Sequence, residues 1–182
     1  KNIKNFFDWV KGSELVELKE CETENDPVRP ELDNEFRTNY GRKIFGVKYK
    51  NEIHAVMCFA FTNQIPKSVH ELDLFSRDAF LQSATRDQNV GQIAIAYTVW
   101  SNKKGGGKLI VKEVFKMIKK SNHLNRLVTL SPLTEMARNF HIKNGAKELQ
   151  VNETTQNFEY DITLEDWETA LVKAKGFLKV IV

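Results

Sequence analysis

From Gln92 to Asn102 the chain reads QIAIAYTVWSN, a near-continuous run of β-branched and aromatic residues. A strand with one solvated face alternates apolar and polar side chains. This run is apolar on both faces, so it belongs inside a sheet that is covered on both sides. The segment KKGGG follows at once, and then KLIVKEVFKMIKKSN. In that stretch Leu109, Ile110, Val114, Met117 and Ile118 make one apolar stripe, while Lys108, Lys112, Lys116 and Lys119 mark the wet side of a helix. A buried strand that feeds an amphipathic helix through glycines confines the chain to the α/β and α+β classes.

The remaining segments read as follows. NIKNFFDWVKG predicts a short helix, ELVELKE a strand, and Glu31 to Asn39 a second helix. Two β-rich runs about Lys50-Asn51-Glu52 predict a hairpin. SVHELDLF reads as a strand, and SRDAFLQSATRDQNVG as a loop with a helical turn at most. RLVTLS predicts a short strand, Thr134 to Asn144 a helix, and Gly145 its natural C-terminal stop. AKELQVN and QNFEYDI predict a final pair of strands. TLEDWETALVKAKGFL predicts a last amphipathic helix over 163–182. Without repeats, linkers or low-complexity tracts, residues 1–182 read as a single domain.

Composition narrows the partners. The net charge of +3 is mild. It does not indicate a nucleic-acid partner, though a small anionic ligand would suit it. No apolar run approaches the length of a membrane span. No secretory pattern opens the chain, which starts on Lys1 rather than Met and so leaves a removed targeting segment open. Cys21 and Cys58 match no metal spacing, and Cys58 within AVMCFAF reads as a reduced core thiol. A reducing cytoplasm is the expected compartment. The oligomeric state is not legible.

The glycine run is the first candidate for chemistry. Glycines at Gly105, Gly106 and Gly107 let a backbone approach a phosphate closely. The first N–H groups of the helix point outward unpaired, and the helix dipole adds partial positive charge. Lys103, Lys104 and Lys108 add more. The bland reading is a flexible turn with a solvated basic rim. The run is not a Walker loop, because no Gly-Lys-Ser/Thr closes it, and it lacks the third glycine of the dinucleotide fingerprint. The second candidate is TLSPLTEMARNFHIKNGA, which carries Ser131 and His141. Taken alone, Ser131 before Pro132 reads as an N-cap with proline at the first helical position. His141 alone reads as a packed helix residue. His54, His70 and His123 show no constellation.

Asn102-x-x-Gly105-x-Gly107, after a buried strand and opening a helix, resembles the acyl-CoA pyrophosphate loop of the GNAT acyltransferase superfamily. ARNFHIKNGA resembles the second signature of that superfamily, with Phe140 and Gly145 in place. Asn102 departs from the usual first residue of the loop. His141 stands where a tyrosine is usual, and Ala146 replaces an aromatic residue. The segment Phe140-His141-Ile142-Lys143-Asn144-Gly145-Ala146, together with VTLSP, resembles malonyl-CoA decarboxylases, whose catalytic domain has a GNAT fold. The resemblance runs from Glu52 to Val151 and is tightest between Tyr97 and Ala146. It implies a mixed central sheet flanked by helices. It implies Ser131 and His141 as catalytic residues, Lys103 to Lys108 as the CoA cradle, and Val99 and Trp100 on the strand that lines the pantetheine arm. It implies no cofactor beyond the acyl-CoA substrate itself. The family's large N-terminal helical domain is absent, as are its Pro-Gly-Phe after the serine and its Asn-Trp segment. Residues 1–42 and 163–182 lie outside the resemblance.

Decarboxylation of a malonyl thioester suits these residue types. The reaction leaves an enolate, so the site must stabilise an oxyanion and deliver a proton. Acyl transfer to an amine and CoA binding without catalysis are the rival expectations.

Overall fold

Lys50 and Asn51 both lie in the left-handed region, with φ of 49° and 63°. Such a two-residue turn matches the right-handed twist of the strands it joins, and it closes the expected hairpin. The computed structural model describes residues 8–84, 91–164, 166–168 and 171. A helical turn over 8–12 (α1) leads into β1 (Glu14–Leu18). Then come α2 (Asn34–Thr38), β2 (Lys43–Tyr49), β3 (Glu52–Thr62), α3 (Val69–Ala84), β4 (Ile93–Ser101), α4 (Gly106–Lys120), β5 (Arg126–Thr129), β6 (Ser131–Pro132), α5 (Glu135–Lys143), β7 (Lys147–Val151) and β8 (Thr155–Tyr160). The strands form one sheet in the order β1-β2-β3-β4-β5-β8-β6, and β7 also pairs with β8. β4 and β5 run parallel; the other pairs are antiparallel. The architecture is a mixed sheet with helices on both faces.

β4 is buried on both sides, as its composition requires. Ala94 and Ala96 join the core under α4, with Leu109, Ile110, Val114 and Phe115. Ile93, Ile95 and Tyr97 join the opposite core, with Ile44, Cys58 and Leu72. No described helix is long and apolar enough to cross a membrane.

Two expectations fail in the first half. SVHELDLF is not a strand and SRDAFLQSA is not a loop, because both belong to α3. The buried stripe there is Leu72, Ser76, Ala79 and Ser83, a helical spacing built largely from small side chains. A search for large apolar residues passes over it. The start was marked by a capping pattern: Ser68 Oγ accepts from the Glu71 N–H, and the Glu71 carboxylate accepts from the Lys67 N–H. The helix expected from Glu31 to Asn39 is shorter, because Asp33 caps it by accepting from the Phe36 N–H at 2.8 Å. The last helix, over 163–182, falls mostly outside the described residues. Trp167 is described and buried, and it donates its indole N–H to the Asn144 carbonyl at 2.9 Å.

The segment after β1 is fastened to α2 by a buried ion pair and to the sheet by a hydroxyl. Asp26 and Arg37 meet at 3.0 Å with neither side chain exposed. The Thr98 hydroxyl of β4 lies 2.8 Å from both Asp26 oxygens. Residues 26–29 are thereby held against the middle of β4.

α5 ends as its sequence predicts. Gly145 has a φ of 100°. Its N–H donates to the Ile142 carbonyl, and the Ala146 N–H donates to the His141 carbonyl. This paired termination fixes the last turn of α5, which carries His141. Gly145→Ala should therefore cost about 1–2 kcal/mol, because a β-carbon is strained in that region. Denaturant unfolding measures it, and an unchanged midpoint would contradict this account of the turn.

Candidate active site

β4 and β5 pair from Ile93 and Arg126 as far as Ala96 and Thr129. One further bond, from the Leu130 N–H to the Ala96 carbonyl at 2.9 Å, ends the ladder. Beyond it β4 continues to Ser101, while the other chain turns aside and pairs Ser131 with Gln156 of β8. The parted strands leave a cavity of about 560 Å³. That volume is in the range of small-molecule sites. Ser131, His141, Val99, Trp100, Lys103, Gly105 and Gly107 are among its lining residues. The cavity follows β4 from Ala96 to the glycine loop. From Tyr97 to Ser101, the end of β4, that is roughly 13 Å at about 3.3 Å per residue.

The glycine loop is built by three local demands. Gly105 is left-handed, with φ of 84°. A β-carbon on Gly106 would stand 2.1 Å from Ser101 Oγ, and one on Gly107 would stand 2.7 Å from the Phe140 ring. The last contact lets α4 approach α5 closely. Among the described residues, the Gly107 and Lys108 N–H groups have no backbone partner, as expected at a helix start. The lysines differ in placement. Lys103 borders the cavity with its ammonium 5.1 Å from the Trp9 ring centroid. Lys104 is exposed, and the Lys108 ammonium sits 5.8 Å from the Trp167 ring centroid. Lys104, Gly106 and Lys108 do not line the cavity, and neither does Asn102. Asn102 borders a neighbouring depression with His54 and Cys21.

Ser131 is not the N-cap of α5. That place belongs to Thr134, whose hydroxyl accepts from the Ala137 N–H at 3.2 Å. Ser131 and Pro132 are a short strand instead. Ser131 Oγ lies 2.9 Å from Thr129 Oγ1, which also accepts from the Phe158 N–H. The Ser131 hydroxyl is thus buried at the cavity wall and oriented by its neighbour.

His141 is 5% exposed. Its ring stacks on Phe158 and meets Phe140 and Tyr160 edge-on. Nδ1 lies 2.9 Å from the Tyr160 hydroxyl. Nε2 has no hydrogen-bond partner among the described residues. Burial pulls the pKa of His141 down from 6.5 to about 3, and it raises that of Tyr160. The imidazole is therefore neutral near pH 7. Tyr160 was not singled out in the sequence. The available signal was the period of two in QNFEYDI, which puts Phe158 and Tyr160 on one face. Pro27 and Val28, which close the cavity from the far side, had no signal.

The mixed sheet, the parted parallel pair and the glycine loop opening α4 define the GNAT fold. Among solved structures, the chain is similar to a malonyl-CoA decarboxylase from Cupriavidus metallidurans, with a TM-score of 0.63 and 14% identity. That likeness covers 94% of this chain and 66% of that one, just under two thirds of its length. The chain is also similar to the loading GNATL domain of CurA from Lyngbya majuscula, with a TM-score of 0.56, 12% identity, and coverage of 83% and 98%. A Bacillus subtilis acetyltransferase in complex with CoA gives 0.54, 12%, and coverage of 82% and 97%. At these identities the likeness is one of fold. No protein-family model and no curated protein matches the sequence.

The buried histidine makes stability depend on pH. The unfolded chain takes up a proton near pH 6.5 that the folded chain refuses until about pH 3. This contribution is complete above pH 6.5 and is lost as pH falls through that window. The loss approaches about 1.4 kcal/mol per pH unit for one proton. Denaturant unfolding from pH 7 to pH 4 should show His141→Gln with a shallower decline than wild type. Parallel profiles would contradict a neutral, buried His141.

Proposed function

We propose that the chain is an acyl-CoA-dependent enzyme whose cavity holds the thioester between Ser131 and His141. The carrying observation is that these two side chains and the glycine loop line one cavity. Its length along β4 accommodates an extended pantetheine arm. The pyrophosphate goes to the start of α4, where the Gly107 and Lys108 N–H groups and Lys103 meet it. The fold likeness to a CoA-bound acetyltransferase supports this placement.

For the reaction, the chemistry of the cavity supports decarboxylation of a malonyl thioester. The C–C bond to the carboxylate breaks, CO₂ leaves, and its electron pair moves into the thioester as an enolate. A proton from solvent water, added at that carbon, then gives the acetyl thioester and leaves hydroxide that bicarbonate formation from the CO₂ takes up. Apolar walls suit this step, because the charge becomes more dispersed as the carboxylate is lost. A neutral His141 serves it as a hydrogen-bond donor. If the Tyr160 hydroxyl donates to Nδ1, the ring proton sits on Nε2 and can meet the developing oxyanion. The Ser131 hydroxyl supplies a second hydrogen-bonding group. Acyl transfer to an amine is the second reading, and the acetyltransferase of the same fold favours it. That reading asks His141 to accept a proton, which its burial opposes.

Incubation with malonyl-CoA, and separately with acetyl-CoA and a panel of amines, separates the readings by CO₂, free thiol and product mass. Decarboxylation predicts CO₂ and acetyl-CoA without thiol release. Thiol release with an acylated amine would establish transfer instead, and binding without turnover would make the chain a CoA-binding module. His141→Phe, which keeps a ring in the packing, should leave CoA protection unchanged. It should lower turnover by about 10²–10³, the scale of a lost oxyanion donor. His141→Gln, which keeps an N–H donor, should retain more activity than His141→Phe. Lys103→Glu should weaken CoA binding, and most at low salt.

A further inference from the structure

Where β4 and β5 part, the Tyr97 and Leu130 carbonyls lose their place in the ladder. Arg29 takes both: Nε donates to Tyr97 at 3.2 Å, and an Nη2 proton goes to Leu130 at 3.2 Å. Tyr97 and Leu130 line the cavity, as do Pro27 and Val28, the two residues before Arg29. Tyr97 lies on β4 away from the glycine loop, and Leu130 precedes Ser131 in the chain. The acyl group of a thioester anchored at that loop would reach here.

Arg29 is 8% exposed, yet no described acidic side chain forms an ion pair with it. The near candidate, Asp26, is committed to Arg37 and the Thr98 hydroxyl, and it meets Arg29 only through the backbone N–H. Glu31 is exposed. Nη1 has no hydrogen-bond partner among the described residues. Glu31 and Asp26 offset the burial of this guanidinium only in part, and an anion nearby relieves the remaining cost. Burial lowers the pKa of Arg29, with Glu31 and Asp26 opposing. The charge stands one carbonyl behind the cavity wall, close enough to act through low-dielectric protein.

Building on the acyl-CoA reading above, we infer that Arg29 selects acyl groups that end in an anion, acting as the buried counter-charge for a dicarboxylic thioester. Its brace across the parted strands puts the charge at the acyl end. The lysines at the other end attend to the phosphates.

Binding of three stable probes by titration calorimetry tests this without turnover. They are sulfoacetyl-CoA, whose sulfonate replaces the malonyl carboxylate; malonamyl-CoA, its neutral isostere; and CoA. Wild type should bind the sulfonate about tenfold more tightly than the amide, a factor of the size expected for a charge acting through one layer of low-dielectric protein. Arg29→Gln should abolish that preference while changing malonamyl-CoA and CoA little. Arg29→Lys, which keeps the charge without the fork, should retain part of it. Equal binding of sulfonate and amide by wild type would overturn the inference and leave the acyl-CoA reading intact. Failure to bind any of the three would sink that reading itself. An Arg29→Gln variant that weakens all three equally would reduce Arg29 to a strand brace. If that variant does not fold, the wild-type preference and the Arg29→Lys result decide.

Discussion

The last hydrogen bond between β4 and β5, from the Leu130 N–H to the Ala96 carbonyl, marks where the candidate site opens. Up to that bond, the two strands are an ordinary parallel pair sealed between two cores. Past it they diverge, because Ser131 and Pro132 pair with β8 instead. Divergence strands polar backbone groups inside the protein, and buried groups of that kind must be satisfied. The structure meets the demand from outside the pair. Arg29 caps two carbonyls, and Asn157 donates to the Thr129 carbonyl at 2.8 Å. The Asp26–Arg37–Thr98 cluster then fixes the segment that delivers Arg29. An opening in the middle of a sheet is stable here because side chains replace the missing ladder.

That opening also sets the electrostatic character of the site. The glycine loop presents N–H groups and lysines at the solvent end. The inner end is apolar, with Pro132, Leu130 and the ring of His141, while Phe140 stands against Gly107 of the loop. A histidine that must stay neutral is a hydrogen-bonding group before it is a proton donor, and Tyr160 governs which ring nitrogen carries the proton. Under the proposed reading, catalysis in such a place would rely on prearranged dipoles rather than on a titrating acid.

Much of this was legible in the sequence, for local reasons. The two-faced burial of β4, the glycine loop and the Gly145 stop each follow from a few adjacent residues. The sharing of one cavity by Ser131 and His141 came through family resemblance, since helical rise alone separates them by roughly 10 Å from the start of α5. What stayed hidden depends on long-range contacts. Arg29 meets partners 68 and 101 residues away, in a stretch without a motif. Tyr160 acquires its role only when α5 packs on β8. α3 is hidden in the sequence because two serines and an alanine join Leu72 on its buried face, and those small residues carry little hydrophobic signal.

The central claim is that an acyl-CoA thioester lies along β4 with its acyl end between Ser131 and His141. A crystal structure with sulfoacetyl-CoA bound tests it most directly. The account predicts the pyrophosphate at the N-terminus of α4, the pantetheine beside Val99 and Trp100, and the thioester oxygen within hydrogen-bond reach of His141 Nε2 or Ser131 Oγ. A ligand seated elsewhere, or one that leaves the space between β4 and β5 empty, would contradict it.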